Sequence, residues 1–254
     1  MAYPTDLLST RAVVKPGLVA VIPKDGLVNN VLPFLRDCRT SIVASPKLGA
    51  SFAQYICTVA PGGGTTSPFG AGKNEESFIY VVSGEVDASS EGKEFHLTAG
   101  GYLFAPPASG IQFTNKSGEE AKLMMYKQLY VPCEGLYPYV YSGNVNDIPY
   151  KEYDDMKNVF IKDLLPAELN FDMNMHILCF EPGACHPFVE THVQEHGMYI
   201  LGGEGMYLVH DTWMGIKKDD FVWFGAYAPQ CAYGIGREPF YYIYSKDCNR
   251  DVVL

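Results

Sequence analysis

The chain has 254 residues, 13% of them aromatic and only 19% charged, so it can bury a substantial core as one large domain or two small ones. A formal net charge of -10 and a pI near 5.0 weigh against nucleic acid or an anionic membrane surface as partner and leave a small molecule. No run approaches the ~18 apolar residues of a membrane span, and the first eleven residues lack a signal peptide's basic-then-apolar pattern. Seven scattered cysteines (38, 57, 133, 179, 185, 231, 248) contain no C-x-x-C pair. The expectation is a cytoplasmic protein without a disulfide framework.

In residues 1–50, Val13-Val14-Lys15-Pro16-Gly17 and Ile22-Pro23-Lys24-Asp25-Gly26 predict short edge strands and turns. Residues 51–130 read as a run of short strands. Phe52–Val59 is the first, ended at Pro61-Gly62-Gly63-Gly64; Ser77–Val82 turns at Ser83-Gly84 into Glu85-Val86; Ala99–Pro107 and Lys122–Lys127 follow. Turn signals at this spacing mean an antiparallel sandwich or barrel. Residues 131–168 predict a connector with at most one helical turn, and 169–254 repeat the first set. Pro61 answers to Pro182, Gly62 to Gly183, Pro68-Phe69 to Pro187-Phe188, Glu76 to Glu195, Gly84 to Gly203, Phe104 to Phe224 and Lys127 to Lys246, a shift of about 120 residues. The reading is an all-β chain of two tandem barrels.

The chemistry is concentrated in Glu190-Thr191-His192-Val193-Gln194-Glu195-His196. Glu190 and His192 would diverge on a helix but share a face on a strand. Fully extended, Glu190 to His196 would span about 20 Å, so the chain must turn between the two histidines for all three to meet one ion. His192–His196 also spells H-x-x-E-H, the inverted zinc-protease motif, which requires a helix; Pro187 before it and the strand-like Met198–Leu201 after it oppose that reading. The first copy places Ala71, Lys73 and Ser77 where the second has Glu190, His192 and His196. Only the C-terminal barrel should therefore bind metal. Cys185, His186 and Cys231 lie close by in sequence, Cys231 being expected to pack rather than ligate, and His96, His176 and His210 have no ligand spacing. The closing strand Phe240–Lys246 puts Phe240, Tyr242, Tyr244 and Lys246 on one face. An inward lysine needs a partner, for which a substrate carboxylate would serve; Lys127 in the other copy allows a structural role instead. Tyr242 answers to Leu123 and is the more telling of the two.

These residues resemble the cupin family, in which two such barrels are double-stranded β-helix jelly rolls. Glu190-x-His192, His196 and Gly203 fall where that family's first motif has H-x-H, Glu and Gly, so carboxylate and imidazole have traded places. The second motif, Phe224-Gly225-Ala226-Tyr227-Ala228-Pro229-Gln230, offers Gln230 in place of the usual histidine. The altered set resembles the (S)-ureidoglycine aminohydrolase family of bicupins. That resemblance implies Mn2+ held by Glu190, His192, His196 and Gln230, with Glu190, Gln230, Tyr242 and Lys246 at the substrate and Glu190 and Lys246 taking part in catalysis. It implies hydrolysis of (S)-ureidoglycine to (S)-ureidoglycolate and ammonia in purine and allantoin breakdown, by a homo-oligomer. Two oxygen and two nitrogen donors without thiolate suit Mn2+ or Fe2+ better than zinc. An Fe2+ dioxygenase and a non-catalytic binding bicupin are the alternative readings, since one fold hosts many chemistries.

Overall fold

A computed structural model describes residues 11–246 and 250–252; the segment 1–10, on which the leader reading rested, and Cys248 lie outside the described residues. Two short strands, β1 (Val13–Lys15) and β2 (Val19–Ile22), come first. The first barrel follows in β3 (Leu35–Ala44), β4 (Phe52–Thr65), β5 (Glu75–Ser83), β6 (Glu85–Ser90), β7 (Lys93–Thr98), β8 (Gly101–Ala105), β9 (Gln112–Thr114) and β10 (Ala121–Leu129). The joining stretch holds β11 (Tyr141–Asn144), β12 (Lys151–Tyr153) and β13 (Met156–Asp163), with one 3-10 turn at Val145–Asp147. The second barrel is β14 (Asn174–Phe180), β15 (His196–Gly202), β16 (Glu204–Val209), β17 (Thr212–Lys217), β18 (Phe221–Phe224), β19 (Gln230–Gly234) and β20 (Phe240–Lys246). The two-barrel, all-β jelly-roll reading holds.

Several strands are apolar on both faces, and the packing explains why. Leu123 and Met125 of β10 point into the first barrel, whereas Met124 and Tyr126 point into a core between the barrels. Tyr242 and Tyr244 of β20 fill the second barrel, while Ile243 joins the shared core. That middle core draws Phe52, Phe78 and Phe104 from one barrel and Tyr199, Phe221 and Trp223 from the other. A strand buried on both sides reads as a continuous apolar run rather than an alternating one. The close approach is visible at Gly197, where a Cβ would collide with the side chains of Phe52 and Gln54 across the interface.

The strands that pad each barrel are exchanged. β2 precedes the first barrel but pairs with β18 of the second, Val19 opposite Phe224 and Ile22 opposite Phe221. β11 precedes the second barrel but pairs with β8 of the first, Tyr141 opposite Phe104. Each interface-facing sheet is thus extended by chain that leads into the other barrel.

Two sequence expectations are corrected. β4 does not end at Pro61-Gly62-Gly63-Gly64; it runs on to Thr65, with residues 60–63 bulging from the ladder between Cys38↔Val59 and Arg36↔Gly64. Gly64 is needed there because a Cβ would strike the backbone of Phe113 and Thr114. The counterpart of Phe104 is Trp223 rather than Phe224. The register Glu85↔Thr98 against Glu204↔Lys217 fixes a shift of 119, which places Phe104 and Trp223 in the shared core and Ala105 and Phe224 inside their barrels. Matching identical letters slips the strand by one residue and would turn every side chain to the wrong face. Among the described residues the cysteines are free, and no helix is long and apolar enough to cross a membrane.

Candidate metal centre

The turn required between Glu190 and His196 is present. Glu190 forms a two-way backbone bridge with Gln230 (N–H···O 2.8 and 3.0 Å), residues 191–195 leave the ladder, and His196 opens β15 opposite Phe224. Tyr227 N–H donates to the carbonyl of His192 at 2.7 Å and pins the excursion. No helix forms at His192–His196, which removes the inverted zinc-protease reading.

Both imidazoles are oriented by carbonyls. His192 Nδ1–H donates to Gln194 O at 2.9 Å and His196 Nδ1–H to Ser245 O at 3.1 Å, so each Nε2 carries its lone pair inward. The two Nε2 atoms stand 3.1 Å apart, and the Gln230 amide lies 2.8 Å from His192 Nε2. Two lone pairs at that separation repel unless a proton or a cation lies between them. Burial holds both imidazoles below their usual pKa, most strongly at His196, where His192 and then Lys246 add to it. Protonation is thereby opposed, and the donor set suits a cation. Turning the Gln230 amide over would present its oxygen to the same point.

Glu190 lines the same cavity, a space of about 10 Å³ bounded also by Tyr153, His186, Met198, Tyr207, Tyr242, Tyr244 and Lys246. That volume holds one water or one ion. The Glu190 carboxylate lies 3.9 Å from His186 Nε2; burial raises its pKa, Lys246 draws it back and Asp154 raises it. Among the described residues no three His, Cys, Asp or Glu side chains are arranged to hold a metal. A metal here would have to draw on Gln230.

Tyr242 is buried and shares a 3.1 Å hydrogen bond with Tyr207, and burial raises both phenols so that they stay protonated. Lys246 lines the small cavity and also a cleft of about 490 Å³ that runs past Ser51, Gln128, Gln194 and Arg250. Its counterpart Lys127 is ion-paired with Glu75 at 3.1 Å. The counterpart of Glu75 is Gln194, which carries no charge, and among the described residues Lys246 has no carboxylate within ion-pair distance.

The first barrel shows what the site becomes without ligands. The bridge equivalent to Glu190↔Gln230 is Phe69↔Ile111, so Phe69, not Ala71, stands in for Glu190. Phe69 and Ile111 pack with Leu123, the counterpart of Tyr242, in an apolar interior. Sequence reasoning missed Tyr207 and noted His186 only as a neighbour in sequence, without a role. His186 accepts from Ala232 N–H at 3.0 Å, and burial, with His192, lowers its pKa to about 4. The alternation Gly205, Tyr207, Val209 along β16 was the available signal for Tyr207.

Two tandem jelly-roll barrels, one with inward-facing imidazoles, carboxylate and amide, define a bicupin. A cupin-domain family model matches residues 55–127, the barrel that lacks these side chains. Over 253 residues the chain is 50% identical to (S)-ureidoglycine aminohydrolase of Escherichia coli (strain K12), covering 99% of this chain and 97% of that one. The crystal structure of protein Ylba from E. coli superposes with a TM-score of 0.88 at 47% identity, covering both chains fully. A putative glyoxylate induced protein from Pseudomonas aeruginosa gives 0.89 at 32% identity, covering 99% and 95%. The chain belongs to the (S)-ureidoglycine aminohydrolase family.

Proposed function

We propose that this chain hydrolyses (S)-ureidoglycine to (S)-ureidoglycolate and ammonia, a step of purine and allantoin breakdown, with a divalent cation, Mn2+ or else Fe2+, held by Glu190, His192, His196 and Gln230. The observation that carries the reading is the pair of carbonyl-oriented imidazoles whose Nε2 atoms face each other at 3.1 Å. The relative of 50% identity names the reaction. When bound, the ion supplies Lewis acidity toward the polar atoms of the substrate.

The protein's own groups account for the remaining requirements. Lys246, unpaired among the described residues and facing both cavity and cleft, takes the substrate carboxylate. Tyr242, held by Tyr207, and the Gln230 amide orient the ureido and amine ends. Glu190, ionised as a ligand of the cation, lines the cavity beside the departing amine and contacts it. The carbon–nitrogen bond breaks, water adds to the same carbon, and ammonia leaves.

The test is metal analysis of purified protein together with ammonia release from freshly generated ureidoglycine, for wild type and His192→Ala, with oxygen uptake followed in parallel. Stoichiometric metal and ammonia release, both lost in the variant, are expected. Undiminished turnover in His192→Ala, or oxygen consumption in place of ammonia release, refutes the proposal.

A further inference from the structure

The two barrels meet along a pseudo-twofold interface, so each feature on one side has a counterpart on the other. On one side the interface holds a carboxylate. Asp219 accepts from Lys122 Nζ at 2.7 Å and from Tyr199 O–H at 2.5 Å, and pairs with Lys24 Nζ at 3.2 Å. The residue equivalent to Asp219 on the other side is Gly100. Both have a left-handed backbone, φ 72 and 86, and their N–H groups donate to equivalent carbonyls, Ile200 O at 2.9 Å and Val81 O at 2.8 Å.

A Cβ on Gly100 would press on Asn144 Oδ1 at 2.9 Å and Val145 Cγ2 at 3.0 Å, and the space lies beside it. A cleft of about 370 Å³ is lined by Tyr80, Gly100, Tyr150, Lys162 and Tyr241 among others. Tyr80 is the counterpart of Tyr199, Tyr241 of Lys122, and Val145 of Lys24, so both lysines of the filled side are gone. A cation has been restored from a different strand. Lys162 of β13 donates to Val145 O at 2.7 Å and stands 4.2 Å from the Tyr150 ring centroid. Among the described residues it has no carboxylate within ion-pair distance, and the Tyr80 and Tyr241 hydroxyls make no hydrogen bond. A cation, phenolic donors and an aromatic wall around a cavity of this size are the components of a small-anion site.

We propose that the cleft at Gly100 binds a small monocarboxylate, whose carboxylate takes the place that Asp219 fills on the opposite side of the interface. The ligand's apolar part lies against Leu201, Ile177 and the tyrosine rings. The site is separate from the candidate metal centre and shares no lining residue with it.

Calorimetric titration of the full chain with sodium benzoate tests this, with benzyl alcohol as a neutral analogue of similar shape. Saturable benzoate binding is expected in wild type and in His192→Ala alike, with none for benzyl alcohol. Lys162→Met should weaken benzoate by at least about tenfold, the usual scale for a lost charge-assisted partner. Tyr241→Phe, which removes a hydroxyl donor of the cleft and keeps the ring, should weaken benzoate by about threefold or more independently of any effect Lys162→Met has on folding. The proposal is overturned by equal binding of the alcohol, by loss of binding in His192→Ala, by undiminished binding in either cleft variant, or by no binding up to about 10 mM, where affinity is under about 3 kcal/mol.

Discussion

Asp219→Asn isolates the electrostatic contribution of the filled side of the interface. Asparagine keeps the shape and tolerates the left-handed backbone at φ 72, so charge is the main change. Burial disfavours the carboxylate, but hydrogen bonds from Lys122, Tyr199 and Lys24 outweigh it and lower the pKa from 3.8 to about 2. A depression of about 1.8 units corresponds to about 2.4 kcal/mol at 1.36 kcal/mol per unit. The side chain is only 11% exposed, so little is discounted for solvent. Because the folded pKa is depressed, this stability is complete above about pH 4 and is lost as pH falls through 2. Urea unfolding at pH 7 should show the variant weaker by about 2 kcal/mol, and at pH 3 by about 1 kcal/mol. A difference under about 0.5 kcal/mol at pH 7, or an undiminished one at pH 3, would refute the reasoning.

Other outcomes follow from the centre. His186, buried and neutral with a pKa of about 4, should cost the protein about 2 kcal/mol of stability between pH 7 and 5, since the unfolded chain takes up the proton first; urea melts across that range should show the decline, blunted in His186→Gln. Gln230→Leu should lower metal content at least about tenfold, measured by emission spectroscopy after dialysis, because it removes one of the four proposed donors, the one in contact with His192 Nε2. Tyr242→Phe removes the 3.1 Å bond to Tyr207 and should cost about 1 kcal/mol in thermal melts while reducing ammonia release more than metal content.

The barrels and the Glu190–His196 cluster were legible because both depend on local pattern: strand-length apolar runs between turns, and a carboxylate and imidazoles that only an extended segment with a turn can bring together. Gln230 was reached through resemblance alone, since nothing local separates a ligand from a turn residue after Pro229. The counterparts of Glu190 and Trp223 were misplaced because identical letters, Phe104 with Phe224 and Pro68-Phe69 with Pro187-Phe188, outweighed the side on which each residue faces. The partner of β2 could not be read at all. Val19–Ile22 announces a buried strand, but the sheet it enters is chosen by an edge formed at Phe221–Phe224.

The reciprocal loan of padding strands ties synthesis to assembly. As the chain emerges from the ribosome, Val19–Ile22 stays without its mate until Phe224 has been made, so the leading segment waits for nearly the entire polypeptide. A gene cut at the natural midpoint would yield two halves, each lacking an outer strand and exposing an open backbone edge prone to sticking. Mixed together, the same halves hold everything needed to clasp one another, and recovery of activity from co-expressed fragments would record that mutual dependence.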